Sequence, residues 1–509
     1  MPSSSVDIVI AGGGIHGAAI ARDAAGRGLK VLLAEREDYA SFTSSASSKL
    51  AHGGLRYLEH MEFGLVRESL SERAGLLKTA PHLVSPLKFL LPIFDWQRRS
   101  AWFVHTGLAL YDLLSLGGEM PGSGRLSQKE VDALPHLRHE HLKAVLHYHD
   151  AHADDARLTL SAALDAMARG ADVANRRAVT AIAPRENGYT VTISEGGNTH
   201  EIDARFVVNT AGPFVGEVDA MIPHDTLPGS AAHGAPSPTD IRFVRGSHIV
   251  LPMPDPAETC AYTLQGEGER IIFSIPWLAG RFLMIGTTDT PQGGAPGHAV
   301  CSAEEKKYLL DAYNRYFARP GNPAAESDIV FDWAGLRTLH GSPDEAPSRI
   351  SREVTLETAT QGRGGFLSLV GGKLTTHRAT AEQVLARLQS MGLDMGPAWT
   401  KGVPQYGGTL DRTALWTRSQ EGPKSVSPQT RQRWAVTYGD RIDDLYGQIE
   451  KDPALAEEIV PGVPRVELEH AAAVEDASTG EDFLWRRTKL RLTLDEWARG
   501  KIEGWFAKN

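Results

Sequence analysis

Cysteine is scarce in this chain: Cys260 and Cys301 are the only two among 509 residues. That excludes a disulfide framework and a CxxC zinc or redox pair, and it fits a reducing cytoplasm. Long apolar runs are missing too. None reaches the ~18 residues that would span a bilayer. The longest candidate, Trp102 to Leu116, is interrupted by His105 and Asp112. It is expected to be a buried helix, with Trp96, Arg98, Arg99 and Trp102 leaving an interfacial membrane contact as the lesser option. Positive charge is in deficit, and a net charge of −10 argues against nucleic acid as a partner. Met1 to Ser5 leads straight into an apolar strand, so no signal peptide is expected. What remains is the composition of a soluble globular protein long enough for two or three domains.

The informative stretch is residues 6–36. Val6 to Ala11 is a short apolar run rich in β-branched residues, which reads as a buried strand of a parallel sheet. It runs into Gly12-x-Gly14-x-x-Gly17, then an alanine-rich helix over Ala18 to Arg27, then a second strand over Lys30 to Ala34 closed by Glu35. Gly12 permits the tight turn, Gly14 lets a pyrophosphate approach the backbone, and Gly17 lets helix and strand pack closely. The pyrophosphate would face the positive end of the helix. Glu35, about 20 residues on, is placed to accept from a ribose hydroxyl and would repel a 2′-phosphate. A complete strand–turn–helix–strand unit with a terminal acid points to an adenine dinucleotide.

Further along, Ser41 to Tyr57 is a Ser/Gly/Ala-rich segment interleaved with Lys49, His52, Arg56 and Tyr57, followed by a helical stretch from Met61 to Thr79. Small residues there would let the backbone lie against a flat ring. His147, His149, Asp150, His152, Asp154 and Asp155 crowd together without helix or finger spacing, so no metal site is expected. Asp154 or Asp155 suits the N-cap of a helix over Ala156 to Arg169. Val173 to Arg185 and Tyr189 to Ser194 read as strands joined at Asn187-Gly188. Phe206 to Asn209 is another buried strand, and Pro223 to Pro238 a surface loop. Runs such as His248–Leu251, Arg270–Ile275 and Phe282–Thr287 are antiparallel-sheet material. Ser302 to Phe317 is helical, Gly365 to Gly371 a last strand, and a helix begins near Leu374. Helices dominate after Ala398.

SSASSKLAHGGLRYLEH, together with the glycine unit before it, resembles the FAD-dependent glycerol-3-phosphate dehydrogenases, within the glycine-oxidase-like and D-amino-acid-oxidase-like flavoproteins. DDARL (154–158), RGSHIVLP (245–252), IGTTDT (285–290), GGKLTTHR (371–378), PAWTKG (397–402) and LWRRTK (484–489) match in the same order. The family more usually has Ala-Thr-Gly-Pro-Trp where this chain has Thr210-Ala-Gly-Pro-Phe214. The resemblance implies an α/β fold with a Rossmann-like FAD-binding domain (1–80, 150–225 and 330–392), an antiparallel-sheet substrate domain (81–149 and 240–329) and a C-terminal helical domain (398–509). It implies oxidation of glycerol 3-phosphate to dihydroxyacetone phosphate by hydride transfer to the flavin N5, with electrons passed to quinone in a respiratory chain. Oxygen as acceptor, and an amine or amino-acid oxidase on the same fold, are the alternatives. It further implies a cytoplasmic protein, with peripheral contact on the inner membrane face, and leaves a homodimer open.

A phosphate dianion calls for Arg and Lys. In the stretches that match the family, Arg56, Tyr57 and Arg352 are expected to bind phosphate, Arg337 to fix the C2 oxygen and His248 to accept its proton, since imidazole titrates near working pH. Lys373 serves either the phosphate or the flavin, and Thr375 the substrate or cofactor. The resemblance places Gly12, Gly14, Ile15, His16, Gly17, Glu35, Arg36, Ser44, Ser45, Ser48, Lys49, His52, Gly53 and Gly54 around FAD. Val179, Gly212, Gly335, Gly372 and Leu374 join them.

Overall fold

The structure is a computed structural model. It describes residues 5–115, 120–134, 136–222, 241–255, 257–266, 270–317, 323–341 and 353–508. Arg352 and the Pro223–Pro238 loop lie outside the described residues, as does the side chain of Arg56.

Two sheets organise the chain. The first has a parallel centre in the order Gly364–Val370, Asn198–Asn209, Ser5–Ala11, Val31–Ala34, Asp172–Ala174. Thr355–Gln361 closes one edge, antiparallel to Gly364–Val370. Ile8, Val9 and Ile10 are wholly buried, as an uninterrupted apolar strand covered on both faces should be. The helix Ile15–Gly26 packs between the helices Asp155–Ala168 and His377–Ser390. Its Ala18, Ala21 and Ala24 meet Ala162, Ala163 and Ala166 in one core. Small side chains on both sides let these helices approach closely. The expected long strand from Val173 is broken at Arg176, whose φ is +52°. Asp172–Ala174 stays in the parallel sheet, while Arg177–Arg185 pairs with Gly188–Glu195 as a hairpin.

The second sheet is large and mostly antiparallel, with strands Val84–Phe94, Leu142–Ala153, Ile241–Pro252, Ala261–Gln265, Ile271–Trp277, Phe282–Gly286 and Phe331–His340 among its members. The short strand Leu50–Ala51 sits on its edge against Ala151 and His152, so the serine-rich segment runs from one sheet to the other. Asp154 is the N-cap of Asp155–Ala168, accepting from the Arg157 amide.

The helix expected to be buried is not. Ala101–Leu114 lies on the surface, with Trp102 76% exposed, Phe103 55% and Leu113 57%. Only Leu108 and Tyr111 of it are buried; with Ala101 and Val104 they form the one stripe that packs on the protein, and the apolar residues outside that stripe face outward. Among the described residues no helix is long and apolar enough to cross a membrane.

The C-terminal part is helical: Arg412–Glu421, Pro428–Tyr438, Ile442–Lys451, Arg465–Ala473 and Glu496–Phe506 enclose two cores of their own. It is bound back to the first sheet by charge. Arg487 donates to both oxygens of Asp38, Arg486 pairs with the same carboxylate, and Arg157 reaches Glu475 at 2.7 Å. Trp399, from the PAWTKG motif, donates to the Asp23 carbonyl and lies against Gly26, where a Cβ would come within 2.2 Å of its ring.

Candidate active site

The first strand ends in the turn the glycines require. Gly12 has φ +108°, and a Cβ on Gly17 would stand 1.9 Å from the Gly12 carbonyl oxygen. Only hydrogens fit there. Glu35 is tied into the same turn: its carboxylate accepts from the Gly13 amide at 2.6 Å and from the Glu37 amide at 2.8 Å. Burial raises its pKa, against those two amides, which lower it. Thr210, where this chain departs from the family's usual sequence, donates to the carbonyls of Ala11 and Gly12 and so fixes the strand end.

The serine-rich segment is a tied bridge. Ser44 Oγ accepts from the Ile15 amide, Thr43 donates to the Leu336 carbonyl, and Ser47 donates through both amide and hydroxyl to Asp155. Ser48 Oγ lies 2.9 Å from His248 Nε2. Asp150, from the His/Asp cluster, accepts from the Gly53 amide, from Arg73 at 2.6 Å and from the Tyr111 hydroxyl. Burial and hydrogen bonding hold the chain rigid at the point where a ring would lie.

Between the two sheets is a cavity of about 1270 Å³. From the parallel sheet it is lined by Gly12, Gly14, Ile15, His16, Glu35, Arg36, Val179 and Gly212. Ser44, Ser48, His52, Gly54 and Tyr57 line it from the bridge, and His248, Gly335 and Arg337 from the antiparallel sheet. Gly372, Lys373, Leu374 and Thr375 complete it. Thus the expected residues largely converge. Gly17, Ser45, Lys49 and Gly53 do not line it: Gly17 packs on Gly12, and Gly53 is held on Asp150 and Tyr111. Lys49 is wholly buried and paired with Asp155 at 2.8 Å, and its ammonium also donates to the Ser45 carbonyl. Arg36 pairs with Glu217 and lies 3.8 Å from the Phe214 ring centroid.

Sequence reasoning missed lining residues that carry no motif. Phe89, Tyr148, Thr263, Gln265 and Phe273 come from neighbouring strands, and the exposed Trp102 and Phe103 also border the cavity. Alternation along those strands was the available signal, and it marks a face without saying what the face encloses.

His248 is 2% exposed and stacks on Trp333, ring centroids 5.0 Å apart and planes 12° apart. Its pKa does not sit near the working range as expected. Burial first, then the charges of Arg337 and Lys49, push it well below its ordinary value. The imidazole is therefore neutral. Arg337 donates to Asp289 at 2.6 Å, to the Thr288 carbonyl and to Thr287. Lys373 Nζ lies 4.0 Å from the Tyr57 ring centroid, and Thr375 Oγ1 accepts from the His52 amide. His16 is also neutral, lowered by burial to about 4. The helix expected from Leu374 begins three residues later, at His377, after a turn in which Gly371 and Gly372 take φ of +88° and +95°. A Cβ on Gly372 would meet His16 Nε2 at 2.2 Å.

Residues 7–378 match the family described as FAD dependent oxidoreductase, and residues 367–503 match the C-terminal domain of alpha-glycerophosphate oxidase. The chain is 41% identical over 492 residues to the glycerol-3-phosphate dehydrogenase of Pseudomonas aeruginosa, covering 96% of this chain and 92% of that one. It is 38% identical over 510 residues to the aerobic glycerol-3-phosphate dehydrogenase of Escherichia coli, covering 99% and 97%. The X-ray structure of the glycerol-3-phosphate dehydrogenase from Bacillus halodurans complexed with FAD superposes with a TM-score of 0.72 at 26% identity, covering 99% of this chain and 94% of that one. The residues present here fit FAD. The Gly12–Gly17 turn offers a cradle that a Cβ would fill, and the cavity continues from it past His16 to His248. With its cofactor thus identified as FAD, the chain belongs to the FAD-dependent glycerol-3-phosphate dehydrogenase family.

Proposed function

We propose that this protein oxidises sn-glycerol 3-phosphate to dihydroxyacetone phosphate and passes the electrons to quinone. The observation that carries the reading is that Arg337, Lys373 and Tyr57 share one cavity with His248 and the dinucleotide turn. FAD, when bound, supplies the two-electron acceptor that takes hydride at N5. Gly12, Gly14 and Glu35 would hold its adenine nucleotide half, and Ser48, His52 and Gly54 would lie along the ring.

Lys373 and Arg337 neutralise an anionic substrate, and the Arg337 fork orients the oxygen at C2. Arg56 and Arg352 are assigned to the phosphate from their sequence motifs. His248 Nε2, on Ser48, accepts the proton that leaves that oxygen. Its neutral state makes it ready to accept, and an arriving dianion offsets the charge of Arg337 that keeps its proton affinity low. Lys373, on the Gly371-Gly372 turn, also bears on any negative charge that develops beside it.

The exposed Trp102 and Phe103 border the cavity next to Arg99, which suits contact with a membrane surface and access for an apolar acceptor. The test is anaerobic addition of glycerol 3-phosphate to the purified yellow protein. Bleaching of the flavin absorbance is expected, and its absence would overturn the reading. Reoxidation by a ubiquinone analogue faster than by oxygen would support the acceptor; the reverse order would reject it.

A further inference from the structure

Behind His248 lies a group of residues that do not line the cavity. The face of its imidazole rests on Trp333. On the strand Phe282–Gly286, Gly286 makes room for the ring: a Cβ there would come within 2.1 Å of it. The ammonium of Lys49 lies 5.0 Å from the centroid of Trp333, 5.5 Å from Trp277 and 5.6 Å from Trp485. Three indoles thus surround one buried cation. Trp485 belongs to the C-terminal part of the chain and packs on Phe331, Trp333 and Trp277. Its neighbours in sequence fix it, Arg486 and Arg487 on Asp38 and Lys489 on Asp154 at 3.1 Å.

We infer that Trp485 and Lys49 are positioning residues for His248. The indole cage, closed from the C-terminal domain, presses Trp333 against the imidazole and sets a positive charge behind it. A desolvated ammonium attracts the face of each indole, so cation and rings hold one another in register. The charged groups around the imidazole are few. Arg337, paired with Asp289, comes from the strand that bears Trp333, and Lys49 from the serine-rich bridge, with its partner Asp155 at the start of the helix Asp155–Ala168. Lys489 and Asp154 stand behind Trp485, and the Phe282–Gly286 strand presents only backbone at Gly286. The position and orientation of His248 would therefore depend on a residue more than two hundred positions away, in a domain that contributes nothing to the cavity lining.

This inference rests on the reading that His248 takes the substrate proton, and the experiment separates the two. Anaerobic stopped-flow bleaching with glycerol 3-phosphate is followed from pH 5 to 9 on the FAD-loaded enzyme. The variants are Trp485→Ala, Trp485→Phe, Lys49→Met/Asp155→Asn (which removes both charges together) and His248→Gln. Trp485→Ala is expected to slow bleaching by about tenfold or more, with substrate Kd nearly unchanged, since a small misplacement of a reacting group is costly. Trp485→Phe, which keeps a ring in the cage, is expected to restore most of the rate. The double variant is expected to move the acid limb of the rate profile up by roughly half a pH unit or more, because, of the two charges removed, it is that of Lys49 that bears on the imidazole and repels its proton. Wild-type bleaching in Trp485→Ala, or a loss expressed only as weaker substrate binding, would overturn the inference. So would an acid limb that stays in place in the double variant. If Trp485→Ala fails to fold, the Phe variant and the double variant decide by rate and pH profile. Unimpaired bleaching in His248→Gln would instead remove the base assignment on which the inference rests.

Discussion

Replacing Arg487 with Met should loosen the C-terminal domain from the dinucleotide-binding sheet. Both Arg487 and Asp38 are 1% exposed, and their pairing is bidentate, at 2.6 and 2.8 Å. Burial alone would raise the Asp38 carboxyl, but the Arg487 and Arg486 guanidiniums outweigh it and hold it below the usual carboxylate range. Breaking one partner of a buried pair costs about 3–5 kcal/mol. Because Arg486 stays on Asp38, the lower figure, about 3 kcal/mol at pH 7, is expected here. The sign with pH follows from the depressed carboxyl. Its contribution is complete above the unfolded value of about 4 and fades as pH falls through that value toward the folded one. The difference between wild type and variant should therefore shrink below about pH 4. Urea unfolding followed by tryptophan fluorescence measures it. The double variant Arg487→Met/Asp38→Asn, which also takes the carboxylate from Arg486, should cost more than Arg487→Met alone and less than the two single losses added. A cost for Arg487→Met below about 1 kcal/mol, or a double variant worse than the sum of its parts, would refute the reasoning.

Other expectations follow from the same geometry. His248→Gln should lower the rate of flavin bleaching by about 10²- to 10⁴-fold, the usual worth of a general base, while substrate binding measured by titration changes little. Glu35→Ala removes the carboxylate proposed to accept from the ribose hydroxyl, a bond worth about 1.5 kcal/mol, so FAD should dissociate on the order of tenfold more readily in a fluorescence titration. Gly17→Ala should yield protein without flavin absorbance, because no shift of a side chain relieves a contact with the Gly12 carbonyl. Burial lowers His16 and His152 to about 4 and His82 and His377 to about 3. Unfolded, each binds a proton near pH 6.5, so stability should fall as pH drops from about 6.5 toward 4, with roughly three and a half protons taken up on unfolding near pH 5.5. Urea midpoints between pH 7 and 5 check this, and a flat response would contradict it.

The first sixty residues were readable because their chemistry is local. Glycine spacing, strand pattern and terminal acid all fall within one unit, and Gly12, Gly14 and Glu35 line the cavity as that unit requires. What could not be read depends on contacts distant in sequence. The charge of Lys49 looked like a ligand for a cofactor, and only the fold shows Asp155 opposite it. The spacing of the His/Asp cluster argued against a metal but gave no role to its members, and only the fold shows Asp150 holding the Gly53 amide from the neighbouring strand. The helix Ala101–Leu114 was misjudged because apolar content does not reveal which side faces protein. LWRRTK stood out as a motif, but its anchoring of Trp485, through Asp38 and Asp154, joins residues more than three hundred positions apart.

The order of strands in the parallel sheet has a consequence for how the protein is made. Ser5–Ala11, synthesised first, is flanked by Val31–Ala34 on one side and Asn198–Asn209 on the other, and the next neighbour outward is Gly364–Val370. A growing chain on the ribosome thus holds its opening segment without a finished sheet until some three hundred and seventy residues have been joined. A fragment cut before Gly364 should emerge colourless, and cofactor capture should be a late event in biosynthesis.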